Sequence, residues 1–308
     1  MTDLCNYTRQ TENYLSFCNT RKNLDKKTIK CYSIDLLQFK NHLIKNNLSW
    51  NSKESIENYI DQLHLFYKPK SVKRKIASLK AFFRYLEIED FIEFNPFNKI
   101  QTHYKEPVIL PKTIQLNNIE TLIKYGYKKY YDASTQYSSI VALRNILIIE
   151  LLFATGMRIS ELCTLTTNQI DTHDYIIKIS GKGAKERLIQ ICNISVQSLL
   201  DQYISIVNPK INSFIFKNRL NNRLSEQSVR NMIKEYAIHA DIQQHITPHM
   251  FRHSFATLLL EEDVDIRYIQ QMLGHSSITT TQIYTHTSIN KQRNILAVKH
   301  PRNKIKIM

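Results

Sequence analysis

Apolar residues recur at three- and four-residue steps through most of this chain, and only one short stretch alternates with a period of two. In residues 28–43, Ile29, Tyr32, Leu36, Phe39 and Leu43 fall on one helical face. From Ser71 the same spacing links Val72, Ile76, Leu79, Phe83 and Leu86. Ser52 ahead of Glu54, and Pro69 ahead of Ser71, supply helix starts. Residues 8 to about 95 are therefore expected to be helices with almost no strand. Asn95-Pro96, Pro107 and Pro111 stop any helix, because proline lacks an N–H and restricts the residue before it. The spacing predicts a helical domain over 1–95, a linker over 96–112 and a larger domain over 113–308. The larger domain opens with a helical pattern (116–123), a polar tyrosine-rich segment (125–139) and a long apolar helix (140–154). Residues 175–192, YIIKISGKGAKERLIQIC, are two β-rich arms around a Gly-Lys-Gly turn, the signature of a hairpin. The rest reads helical, including an amphipathic stretch at 264–273. The expected class is mainly α with a small β-hairpin.

Charge narrows the partners. Lys and Arg number 42 against 27 Asp and Glu, a formal net charge of +15. Residues 1–105 hold 18 basic and 11 acidic side chains and the remainder 24 and 16, so the excess belongs to the whole molecule. Such a field attracts nucleic acid or an anionic membrane. Membrane insertion is disfavoured, because the most apolar stretch, 140–153, contains Arg144, Asn145 and Glu150. The opening MTDLCNYTRQTEN has no apolar h-region. Five cysteines, odd in number and without a CxxC, read as free thiols in a reducing compartment, so a cytoplasmic location is expected. Lys68, Lys70, Lys73, Arg74, Lys75, Lys80 and Arg84 follow one another with no acid between them. A mixed-sign run would be an ordinary solvated face. A single-sign run in a chain this basic points to a surface that contacts phosphates.

The glycines locate the chemistry. Only five exist, and four lie in three short clusters, each with a basic residue: Gly156-Met157-Arg158, Gly181-Lys182-Gly183 and Gly274-His275. No GxxxxGK[ST] loop is present, so ATP is not implied. In Thr247-Pro248-His249-Met250-Phe251-Arg252-His253, Pro248 suits a first helical turn, which puts His249 and Arg252 on one face. Guanidinium and imidazole together suit a phosphate. His249 and His253 could instead hold a metal. Zinc hydrolases place Glu beside the first His, however, and Met250 stands there; neither metal nor cofactor is expected. Two arginines, a lysine, two histidines and Tyr284 make a set able to transfer a phosphoryl group. Arginines stabilise the charge that develops, tyrosine is a nucleophile and lysine an acid for the leaving alkoxide. Singly, each has a blander explanation; Tyr284 is one of 17 tyrosines.

Four stretches resemble the catalytic motifs of the tyrosine site-specific recombinases, and in particular the Xer-like bacterial branch. They are ATGMRISEL (154–162), ISGKGAKERL (179–188), TPHMFRHSFATLLLEEDVDIRYIQQMLGHSSITTTQIYTH (247–286) and KHPR (299–302). SVKRKIASLKAFFRYL (71–86) and Asn95-Pro96 resemble that branch's N-terminal DNA-clamping domain. The resemblance implies a two-domain architecture, a helical clamp followed by an α+β catalytic domain. It implies that Tyr284 attacks a DNA phosphodiester and forms a 3′-phosphotyrosyl ester, with Arg158 and Arg252 on the scissile phosphate. Lys182 would be the general acid, His249 would assist proton transfer, His275 would stabilise the transition state and Glu161 would orient Arg158. It further implies double-stranded DNA with inverted-repeat core sites as substrate. Four protomers would act on two sites through a four-way junction, with or without a paralogous recombinase. A C-terminal helix at about 288–298 would dock on a neighbouring protomer. A DNA-binding regulator that had lost the chemistry would lack one of the six catalytic positions, and none is missing. A relaxing topoisomerase with the same nucleophile works as a monomer, against which the clamp and the exchanging helix argue. The segment 124–139 looks longer than the branch requires.

Overall fold

The computed structural model describes residues 2–102, 112–180, 186–262, 264–274 and 289–305. The chain divides into two compact units between Ile109 and Leu110.

Among its described residues the first unit has four α-helices: α1 (Thr2–Thr20), α2 (Lys26–Asn46), α3 (Lys53–Phe66) and α4 (Pro69–Ile88). Their ends are set by local chemistry. Asp25 accepts from Lys27 N at 2.8 Å to begin α2, and Ser52 accepts from Ser55 N at 3.1 Å to begin α3. Pro69 occupies the first turn of α4. Tyr7, Tyr14, Phe39, Phe82 and Phe83 are fully buried between the helices. Tyr7 meets Phe82 edge-on at 5.6 Å and donates its hydroxyl to Leu36 O at 2.9 Å, so a buried ring keeps its polar end satisfied. This unit runs beyond the expected boundary at residue 95. Asn95 Oδ1 accepts from Phe97 N at 3.0 Å and starts a 3-10 turn, Pro96–Lys99. Phe97 is buried 5.5 Å from the Phe83 ring, and Ile100 packs on the same core. A single aromatic anchor docks residues that carry no periodicity, which shortens the expected linker at its N-terminal end.

In the second unit α6 (Gln136–Thr155) is the axis on which α5 (Leu116–Tyr131), α8 (Ile194–Val207) and α10 (Pro248–Glu261) pack. Leu143 and the run Ile146 to Phe153 are wholly buried, the Glu150 charge included. α6 is long and apolar enough to cross a membrane by length and composition, yet most of it lies inside this unit. The polar side chains along its buried stretch are paired internally. Arg144 donates to Lys217 O at 2.7 Å, and Glu150 forms a bidentate pair with Arg302, both contacts at 2.7 Å. α7 (Ile159–Thr164) follows, then an antiparallel sheet in the order β1 (Ile170–Asp171), β2 (Ile176–Ser180) and β3 (Glu186–Gln190). The expected hairpin is β2–β3, in register with Ile177 opposite Ile189 and Ile179 opposite Arg187; β1, two residues long, carries no alternation of its own. α9 (Glu226–His239), α11 (Ile266–Leu273) and α12 (Ile289–Lys299) complete the unit.

Of the tyrosine-rich segment, α5 takes the residues up to Tyr131 and α6 those from Gln136. Tyr125 lies edge-on to Tyr236 at 5.2 Å, and Tyr130 Oη accepts from Gln202 at 2.8 Å. Rings and hydroxyls together lace α5 to α8 and α9. Leu296 of α12 is buried with Phe255, Met272 and Leu273 of its own unit. The chain then turns inward through Pro301–Lys304, and His300 and Arg302 are buried against α6. All five cysteines are free.

Candidate active site

The site is built at the C-terminal end of α6. Gly156 ends that helix at φ +61°, and a Cβ there would sit 2.7 Å from Phe255 Cδ1 and 2.8 Å from Leu273 Cδ2. Only glycine allows both the left-handed turn and the close packing of α10 and α11. The turn sends the chain into α7, for which Arg158 is the N-cap. Glu161, one turn on, accepts from Arg158 N and from Arg158 Nη1, each at 2.8 Å. The guanidinium of Arg158 is thereby held by the acid that the sequence placed three residues away. It remains about two-fifths exposed, and its Nη2 lies 3.4 Å from Gly274 O.

Arg252 enters from α10, with Pro248 in the first turn. It is 3% exposed and donates to Gly156 O at 2.9 Å and to Leu273 O at 2.5 Å. Burial, with Arg158 and then Arg187 nearby, brings its ionisation down to about 10. It still carries its charge at neutral pH, but in surroundings short of negative charge. His249 is exposed one turn earlier, and its ring meets that of His253 at 4.4 Å, nearly perpendicular. Burial, then His249 and Arg252, lower the pKa of His253, which favours its neutral form. Among the described residues no group of three His, Cys, Asp or Glu is placed to hold a metal ion.

Arg187 is the member of this cluster that the motifs did not single out. On β3 it forms a fork with Glu161, at 3.0 and 2.6 Å, and donates Nε to Met272 O at 3.1 Å. Burial works against the Glu161 carboxylate, yet the bonds from Arg187 and Arg158 outweigh it and hold the group below the ordinary carboxylate range. Three guanidiniums against one carboxylate leave an excess of two positive charges. The signal available in sequence was alternation: Arg187 and Ile189 share one face of a strand. The expected residues Lys182, His275 and Tyr284 lie outside the described residues.

The basic helix of the first unit is partly reassigned. Lys68, Lys70, Lys73, Arg74 and Arg84 are exposed, while Lys80 is half-buried and donates to Thr102 Oγ1. Lys75 departs from the expected phosphate-contacting stripe. It is 3% exposed, with its ammonium on Gln38 and, at 3.2 Å, on Asp35, which is itself buried and also bonded to Arg74 and Ser78. Lys75 lies three residues from Val72 and four from Leu79, on the apolar face of α4.

The second unit, mostly helical with a small antiparallel sheet, gathers three arginines beside a histidine pair, an arrangement suited to holding a phosphate. Comparison with known proteins gives the family. Residues 116–291 match the phage integrase family, and residues 11–90 match the phage integrase N-terminal SAM-like domain. The chain is 54% identical over 292 residues to a tyrosine recombinase of Agathobacter rectalis, covering 94% of this chain and 95% of that one. It is 33% identical over 302 residues to the tyrosine recombinase XerD of Listeria innocua, covering 94% and 98%. Among solved structures, the XerH site-specific recombinase bound to difH substrate in a pre-cleavage complex has a TM-score of 0.67 at 23% identity, covering 94% of this chain and 84% of that chain, a likeness of fold. The chain belongs to the phage integrase family. It is an Xer-like tyrosine recombinase, an enzyme of site-specific DNA recombination by strand cleavage and rejoining.

Proposed function

We propose that Tyr284 is the nucleophile and that the arginine cluster is the seat of the scissile phosphate. In this reading the Tyr284 hydroxyl attacks phosphorus, the P–O5′ bond breaks, and the strand stays on the enzyme as a 3′-phosphotyrosyl ester. Lys182 protonates the departing 5′-oxygen, so a free 5′-hydroxyl results. Arg158 and Arg252 take the non-bridging oxygens, His249 assists proton transfer, and His275 stabilises the transition state. Because the ester conserves the bond, a 5′-hydroxyl from a second duplex reverses the step without ATP. The observation that carries this reading is the arginine cluster's excess of positive charge, centred on the buried and hydrogen-bonded Arg252. Fixed positive charge aimed at a phosphate is worth most where water is excluded.

The partners are double-stranded DNA with inverted-repeat core sites and further copies of the chain, four on two sites, with or without a paralogous recombinase. Solved relatives support this, including a lambda integrase tetramer bound to a Holliday junction. The exposed basic residues of α4, without Lys75, make the clamp, and α12 docks on a neighbouring protomer. The location is cytoplasmic. To test the assignment, wild type and Tyr284→Phe are expressed in bacterial cells carrying candidate DNA and denatured in detergent without crosslinker, and the retained DNA is sequenced. DNA ending at one position and retained by wild type alone is the expected result. Equal retention by Tyr284→Phe would remove Tyr284 from the role.

A further inference from the structure

The last two carbonyls of α11 and that of its capping glycine are each taken by a different arginine: Met272 O by Arg187, Leu273 O by Arg252 and Gly274 O by Arg158. A helix leaves its final carbonyls without intrahelical partners and carries partial negative charge there, so three guanidiniums converge on it favourably. Two of them are the arginines assigned to the phosphate. The third, Arg187, has no such assignment, yet it makes the most connections. Its fork holds both oxygens of Glu161, which in turn binds the backbone and the guanidinium of Arg158. Its side chain is 12% exposed, and its Cδ lies 3.0 Å from where a Cβ on Gly274 would stand. That glycine, at φ +64°, lets the α11 terminus close over the Arg187 stem.

We propose that Arg187 is a positioning residue for strand cleavage: it divides the negative charge of Glu161 with Arg158 and sets the α11 terminus, immediately before His275, against the arginine pair. The physical reason lies in the carboxylate. Bound by Arg187 on both oxygens, Glu161 has only its remaining lone pairs for Arg158, so it orients that guanidinium without neutralising it. Without Arg187, Glu161 is free to close a fork on Arg158 and withdraw it from a phosphate. The strand β3 thereby joins the hairpin that bears Lys182 to both other parts of the site through one side chain.

The inference rests on the strand-cleavage reading above, and the test separates the two. The probe is the duplex recovered covalently on the wild type, used in single-turnover adduct formation at saturating enzyme, with equilibrium binding to the same duplex measured in parallel. Arg187→Gln should slow adduct formation about 10- to 100-fold, by analogy with the loss when the hydrogen-bond partner of a metal ligand is removed. Its Kd should stay within about threefold, because binding is spread over many phosphates. Glu161→Gln should slow cleavage similarly, and the double variant Arg187→Gln/Glu161→Gln should be no slower than the worse single variant, since the two act as a unit. Arg187→Lys, which keeps the charge but loses the fork, should recover little. A merely structural role would instead weaken DNA binding along with the rate and give additive losses. Adduct formation by Arg187→Gln within about threefold of wild type, or additive effects with Glu161, would overturn the assignment of Arg187 alone. Absence of any wild-type adduct would reject the cleavage reading and this inference with it.

Discussion

His300 ties the C-terminal segment to α6 through one hydrogen bond and caps its own segment through a second, and the two together fix its tautomer. Nε2 lies 2.6 Å from Ala154 O, which can only accept, so Nε2 carries the proton. Nδ1 accepts from Arg302 N at 2.9 Å, so it must be unprotonated. Adding a second proton would break that bond and bury a charge beside Arg302. Burial accordingly brings the pKa of His300 down from 6.5 to about 4, against the opposing pull of Ala154 O. A base whose folded value is depressed costs stability as pH falls, because the unfolded chain binds a proton that the folded chain refuses. The loss begins below pH 6.5 and continues to about pH 4. Linkage with these two values gives about 2 kcal/mol lost between about pH 7.5 and pH 5, and about 3 kcal/mol by about pH 4. Urea unfolding at about pH 7.5 and about pH 5, followed by far-UV circular dichroism, measures this for wild type and His300→Gln. The chain's one tryptophan, Trp50, belongs to the first unit, so its fluorescence follows that unit separately and serves as an internal control. Other histidines contribute equally to both proteins and cancel. The acid-induced loss in the second unit should be about 2 kcal/mol smaller in His300→Gln. An equal loss in the two proteins would refute the tautomer argument.

Arg302→Met should cost about 3–5 kcal/mol in urea unfolding, because Glu150 is then an unpaired buried charge, whereas Glu150→Leu/Arg302→Met should recover most of it. Gly156→Ala should lose at least about 1–2 kcal/mol from its left-handed backbone alone, with further loss from the clash with Phe255, read as a fall in the urea midpoint. Replacing Lys73 and Arg74 with Gln should flatten the salt dependence of DNA binding by about 0.9 for each phosphate that is no longer neutralised. Lys75→Met should leave that slope unchanged and lower stability by about 1–3 kcal/mol, because Asp35 keeps Ser78 and Arg74 as partners.

Each helix that carries strong three- and four-residue periodicity was legible in the chain, as were the starts at Ser52, Pro69 and Pro248, because caps and amphipathic faces are local properties. The pairing of Arg158 with Glu161 entered through the family resemblance, and it proves to be a local one, three residues apart across a helix start. Lys75 shows the limit of counting charges. Its position on the apolar face of α4 could have been read from periodicity, but its partner Asp35 lies forty residues away on another helix. Phe97, which draws residues 96–100 into the first unit, has no periodic neighbours to announce it.

The place of Arg187 in the arginine cluster depended on tertiary structure alone. Arg187, Arg252 and Arg158 come from a strand and two helices, and they converge because two glycines permit left-handed turns that bring α10, α11 and β3 against the end of α6. The same is true of Glu150 and Arg302, 152 residues apart and bonded inside the core. Sequence by itself determined the elements, the family motifs and the overall positive charge, since each of these is written in neighbouring residues. Which charges are buried, and which carbonyls they hold, was decided only by long-range packing, because a side chain's partner across the core leaves no mark in the residues beside it.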